Sequence, residues 1–114
     1  MARKRYVLWF KEIGIKDVPK VGGKGASLGE MYSKLTKKGV AVPNGFAVTA
    51  EAYEYFIDST GVKKEIKKIL RDLNTRDIHN LQARGQAVRQ AILAADFPQD
   101  LAAQIVLAYK KLSS

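Results

Sequence analysis

Cysteine is absent from this 114-residue chain. That removes disulfide scaffolds, thiolate metal centres and cysteine nucleophiles at once. Histidine occurs once. His79 sits in Asp77-Ile78-His79-Asn80-Leu81, a polar helix-forming context, and reads as a surface or half-buried helix residue. No apolar run approaches the roughly 20 residues that cross a bilayer. The chain begins Met-Ala-Arg-Lys-Arg, but Trp9-Phe10 gives way to Lys11-Glu12, so no signal-peptide apolar region follows the basic start. These absences point to a reducing cytoplasm and give no sign of a membrane role. Acidic residues are scarce, 11 against 20 lysines and arginines, for a net charge of +9. Such an excess favours anionic partners: nucleotides, nucleic acid, acidic proteins or anionic membranes. The cations are scattered, with local density at Arg3–Arg5, Lys34–Lys38 and Lys63–Arg71. A solvated basic surface explains them equally well, and charge alone selects no function.

What is present describes one α+β domain over residues 1–114, richer in helix than strand. Hydrophobic residues make up 46%, too many for intrinsic disorder. A domain of this size buries about two-thirds of its unfolded surface. Residues 1–5 are polar, basic and expected to fray. Tyr6–Phe10 is aromatic and β-branched and predicts a strand. Glu12–Pro19 reads as a connection with Gly14 and Pro19 as breakers. A glycine turn at 22–25 precedes a helix from Ala26 to Leu35, which Gly39 ends in a left-handed conformation. Pro43-Asn44-Gly45 signals a turn before a second short strand, Phe46–Val48. Thr49 caps a helix with an Ala52, Tyr53, Phe56, Ile57 stripe, and Gly61 stops it. Three more helices follow. The first carries Val62, Ile66, Ile69, Leu70 and Leu73. The second runs from Ile78 to Leu93, with Gly85 as a possible close-contact point. Phe97-Pro98 then introduces a last helix with a Leu101, Ile105, Ala108, Leu112 stripe. There is no internal repeat and no domain linker.

The stretch with chemistry is Val21-Gly22-Gly23-Lys24-Gly25-Ala26-Ser27-Leu28-Gly29-Glu30-Met31. Glycines let backbone amides approach an anion, a helix start leaves donors unpaired, and lysine adds a mobile charge. The turn fails both standard nucleotide motifs. A Walker loop needs glycine at position 18 and Ser or Thr at 25, where Val18 and Gly25 stand. A dinucleotide fingerprint starting at Gly23 needs its third glycine at Leu28. On spacing alone the turn is either a phosphate cradle or an ordinary glycine turn with an exposed lysine.

The identities around it go further. The 21–31 string resembles the N-terminal signature of the phosphoenolpyruvate synthase family and its relative, pyruvate, phosphate dikinase. Trp9-Phe10-Lys11-Glu12-Ile13-Gly14 resembles the synthase opening. Val42-Pro43-Asn44-Gly45-Phe46-Ala47-Val48-Thr49-Ala50-Glu51-Ala52-Tyr53 follows at the matching distance, and the resemblance covers nearly the whole chain. It implies the first subdomain of an ATP-grasp-like nucleotide-binding domain, mostly helical with two or more short strands. It further implies that ATP is the substrate, that Lys24 contacts its phosphates, and that Gly22, Gly23 and Gly25 form the turn. Family members phosphorylate a catalytic histidine with ATP and pass the phosphoryl group to pyruvate. The synthase yields phosphoenolpyruvate, AMP and phosphate and consumes water. Gly25 departs from the common synthase pattern, which has asparagine there, and matches the dikinase.

The chain is far shorter than these enzymes. It is therefore expected to be an N-terminal fragment, with no catalytic residue of its own and no activity alone. Magnesium is expected for the whole enzyme, with ligands outside this chain. The expected partners are the remainder of the nucleotide-binding domain and the phosphohistidine and pyruvate-binding domains. The Thr-x-x-His-Ala-type surroundings of the family's phosphocarrier are absent around His79. Glu51 with Glu54, or Asp72 with Asp77, form no metal site that the sequence defines. Trp9 and Phe10 read as core residues before base-stacking ones. Two other readings remain: an assembly module that pairs with a separate dikinase chain, and a basic helical domain that binds nucleic acid through Lys63, Lys64, Lys67, Lys68 and Arg71.

Overall fold

A computed structural model describes residues 4–114. Its elements are a strand β1 (Val7–Trp9), two 3-10 turns (Phe10–Glu12 and Ile15–Asp17), helix α1 (Val18–Thr36), strand β2 (Phe46–Val48), and helices α2 (Ala50–Ser59), α3 (Val62–Leu70), α4 (Ile78–Ala94) and α5 (Gln99–Ser113). The chain divides into two units. One holds the residues up to Glu54 together with Gln99–Ser114, and the other holds Tyr55–Pro98.

In the first unit β1 and β2 pair antiparallel with Val7 opposite Val48, Leu8 opposite Ala47 and Trp9 opposite Phe46. The ladder extends past both strand ends. Thr49 N–H donates to the Tyr6 carbonyl at 3.0 Å, and Phe10 N–H donates to the Gly45 carbonyl at 3.0 Å. A two-stranded ribbon is marginal by itself, so its stability comes from what packs on it. Trp9 and Phe46 meet edge to face at 5.6 Å, a favoured aromatic geometry. Phe10 tilts against Tyr32 of α1 at 6.4 Å between centroids. On its other side it leaves no room at Gly45, where a Cβ would stand 2.7 Å from the ring. Trp9 and Phe10 thus pack against Phe46, Tyr32 and Gly45, as the sequence reads them, but both stay half-buried and lie outside the fully buried core.

α1 differs from expectation at its start. The helix begins at Val18 with Pro19 in the first turn, where a missing N–H costs nothing. Only Gly22 leaves the helical region, at φ 78° and ψ 171°. One residue suffices to break the axis, so Gly23, Lys24 and Gly25 form the first turn of the second segment and not an open loop. The C-terminus ends as expected. Gly39 has φ 82°. Its N–H bonds the Thr36 carbonyl at 3.1 Å, and the Val40 N–H bonds the Leu35 carbonyl at 3.0 Å, the paired bonds of a Schellman motif.

α2 is capped by Thr49, whose hydroxyl accepts from Ala52 N–H at 3.1 Å. Ala52, Phe56 and Ile57 are buried, but Tyr53 is exposed, so it drops out of the predicted stripe. α5 fastens to the beginning of β1 through Gln104. The Gln104 carbonyl accepts from Tyr6 N–H at 2.7 Å and its amide donates to the Lys4 carbonyl at 2.8 Å. Leu101 and Ala108 on the same helix are buried. The fraying expected for residues 1–5 lies outside the described residues at 1–3. Lys4 pairs with Glu51 at 2.8 Å, and Arg5 grips Glu12 through both guanidinium nitrogens.

In the second unit α3 packs on α4. α3 stops at Leu70, short of the predicted Leu73: Arg71 leaves the helical region at ψ 138°, and Asp72 follows with φ 64°. Arg84 of α4 then takes the freed carbonyls of Ile69 and Arg71 at 2.5 and 2.8 Å, which answers the charge of a helix C-terminus. Asp77 caps α4 by accepting from His79 and Asn80 N–H. His79 is an exposed residue of that first turn. Gly85 is not a close-contact point, since an added Cβ would meet only the end of Arg89 at 3.5 Å. Phe56 tilts against Phe97 at 5.0 Å. The result is the helix-rich α+β arrangement expected, with two short strands and five helices among the described residues.

Candidate functional site

The predicted phosphate-turn residues come together at the Gly22 break. Gly22, Gly23 and Lys24 are exposed and Gly25 is half-buried. Lys24 enters no ion pair among the described residues. Its neighbour Lys20 faces Asp17 at 3.8 Å. Ala26, fully buried, anchors the turn from below.

The fold accounts for two of the three glycines, each for a different reason. Gly22 carries a positive φ that strains any side chain. Gly25 faces its own neighbour, because an added Cβ would sit 3.1 Å from Val21 Cβ. Gly23 has neither constraint. Its φ is not positive, and nothing lies within 4 Å of an added Cβ. Within this chain, Gly23 gains nothing by lacking a side chain, and a helical glycine costs about 0.5–1 kcal/mol relative to alanine.

Two carboxylates missed in the sequence hold the approach to the turn. Asp17, buried, accepts from Gly14 N–H at 2.9 Å. Glu30 accepts from Ile15 N–H at 2.9 Å and pairs with Lys34 at 2.9 Å. The Ile15 amide, followed by the Lys34 ammonium, holds the Glu30 carboxyl below its ordinary range. Beside it, Gly29 lies flat on Ile13, and an added Cβ would come 2.5 Å from Ile13 Cβ. In a sequence, an aspartate before a helix and a glutamate within one look like surface charges. The glycines at 14 and 29 are the only signal of close packing. Among the described residues no group of three or more His, Cys, Asp or Glu side chains could hold a metal ion. No single described helix is long and apolar enough to cross a membrane.

The turn thus carries an exposed lysine at the start of the second helical segment; comparison with known proteins identifies the family. Residues 18–114 match the family described as pyruvate phosphate dikinase, AMP/ATP-binding domain, and the chain belongs to that family. It is 52% identical over 103 residues to phosphoenolpyruvate synthase of Synechocystis sp., covering 90% of this chain and 13% of that protein. It is 49% identical over 110 residues to phosphoenolpyruvate synthase of Aquifex aeolicus, covering 96% of this chain and 13% of that protein. Against phosphoenolpyruvate synthase of Escherichia coli the identity is 44% over 108 residues, 95% of this chain and 14% of that protein. The chain therefore corresponds to the N-terminal ATP-binding region of these synthases and spans about one-seventh of their length.

Proposed function

We propose that the chain supplies one wall of an ATP site in a phosphoenolpyruvate synthase, as the first subdomain of an ATP-grasp-like nucleotide-binding domain. The observation that carries the reading is Gly23, a glycine with no internal reason to be one, next to an exposed lysine at a helix start. A phosphate held there would meet amide N–H groups directly, and a Cβ at position 23 would intrude on it. Gly22 would aim the second segment of α1 at the phosphates. Gly25 would keep the turn tight, and Lys24 would neutralise charge on the transferred phosphoryl group, a positioning and electrostatic role. The whole enzyme would convert ATP, pyruvate and water to phosphoenolpyruvate, AMP and phosphate in the cytoplasm. Its magnesium ligands, phosphohistidine and pyruvate site would lie in the partner portions of the enzyme, so this chain alone would not turn over.

Titration of ATP into the 15N-labelled chain tests the reading. Amide shifts centred on residues 22–29, lost or much reduced in Lys24→Ala, are expected. Their absence from that stretch at millimolar ATP would overturn it.

A further inference from the structure

The phosphate turn uses only the first half of the 21–31 string, and its tail, Gly29-Glu30-Met31, has no part in it. We propose that Glu30 is a positioning residue, which fixes the angle at the Gly22 break by holding the arm that leads into it. This rests on the nucleotide reading above.

Glu30 cannot reach a phosphate at the turn itself. Seven residues of helix separate it from Gly23, about 10 Å along the axis. What it reaches is the other arm. Its Oε1 accepts from Ile15 N–H at 2.9 Å while Lys34 holds Oε2 at 2.9 Å, so the carboxylate spans the arm and its own helix. Gly14 makes the approach possible, since an added Cβ there would stand 3.1 Å from Oε1. From Ile15 the chain runs through the 3-10 turn to Asp17, the short Val18–Val21 segment, and Gly22. It then returns down α1 to Glu30. The Ile15–Glu30 bond therefore closes a loop whose bend is Gly22, the residue with the fewest steric limits on its backbone. Gly29 against Ile13 packs the base of the same loop. With the bond made, the short segment has one orientation and the first-turn amides at 23–25 point one way. With it broken, the arm pivots at Gly22.

The test uses three forms of the chain: wild type, Glu30→Ala and Glu30→Gln. Glutamine keeps an acceptor oxygen for Ile15 N–H, and alanine does not. Expected for Glu30→Ala is ATP binding about tenfold weaker, in protein whose amide dispersion shows it folded. Glu30→Gln is expected to restore most of the affinity. A purely structural residue would lower the melting temperature and leave the affinity of the folded protein unchanged, and that result overturns the proposal. A second readout needs no nucleotide. In Glu30→Ala, amide shifts should spread from Ile15 through Val18–Val21 to Gly22–Lys24, and shifts confined to 14–16 overturn the positioning role. Should wild type show no ATP response at all, the nucleotide reading fails, and the ligand-free shifts still decide whether Glu30 sets the bend.

Discussion

Gly23→Ala separates what the fold needs from what a ligand needs. Alanine at this position meets nothing within 4 Å, and the backbone φ is not one that penalises a Cβ. No steric cost therefore offsets the gain in helix propensity and the lower entropy of the unfolded chain, together about 0.5–1 kcal/mol. Unfolding entropy near 60 °C is roughly 2.1 cal/mol/K per residue, or about 0.24 kcal/mol/K for a chain of this length. The expected rise in melting temperature is thus about 2–4 °C, readable by circular dichroism at 222 nm. The same methyl group lies where a phosphate would approach the first-turn amides, so ATP affinity should fall while stability rises. Calorimetry or amide titration on the same samples measures the second quantity. A lower melting temperature would refute the geometry assigned to the turn. A higher melting temperature with unchanged ATP affinity would refute the idea that Gly23 is kept bare for a ligand.

Gly29→Ala should behave in the opposite way. The added Cβ would fall 2.5 Å from Ile13 Cβ and 2.6 Å from the Ile13 carbonyl oxygen. A backbone atom cannot step aside cheaply, so overpacking of about 1–3 kcal/mol outweighs the propensity gain of up to about 1 kcal/mol, and urea unfolding should show a lower midpoint. Glu12 gives a pH signature. Arg5 foremost, and the Trp9 N–H, hold its carboxyl below the ordinary range against the opposing effect of burial. A depressed folded pKa contributes stability that is present above the unfolded value, near 4.3, and lost as pH falls through the lower folded value. Melting temperatures of wild type should therefore decline more steeply below about pH 5 than those of Glu12→Gln, and parallel profiles would count against the pairing.

Much of the chain was legible because its signals are local. Thr49, Gly39 and Gly61 punctuate helices by rules that need only a few neighbours, and the structure has helix ends at each. The departures come from contacts that sequence order hides. α3 ends three residues early, and the Ile69 and Arg71 carbonyls at that end are met by Arg84, thirteen residues beyond Arg71. Gln104 ties α5 to the Lys4–Tyr6 backbone across nearly the whole length of the chain. The glycine-rich stretch reads as a four-residue loop because three glycines outweigh any helix preference, yet a single break at Gly22 leaves 23–25 helical. At the site the reach was partial. Lys24 and its glycines stood out by composition, whereas Asp17 and Glu30 bond backbone amides that only the folded chain brings to them.

The first turn of the second α1 segment breaks several local rules in three residues. Gly23 and Gly25 each forgo about 0.5–1 kcal/mol of helix propensity. Lys24 puts a cation at the positive end of the helix, unfavourable by about 0.3–1 kcal/mol when unpaired. Packing accounts for one of the three choices: Gly25 avoids Val21. It accounts for neither Gly23, which faces open space, nor Lys24, which enters no ion pair among the described residues. An anion docked at the turn, as proposed, would change the sign of both. Its charge meets the helix start and the lysine together, so two like charges that repel in the empty turn both become attractive partners. The space above Gly23 turns from an unused gap into the approach path. Local choices that conflict with the fold and would agree with a ligand are the expected mark of a binding site, and it is on this ground that the proposed phosphate site is centred on two adjacent residues, Gly23 and Lys24.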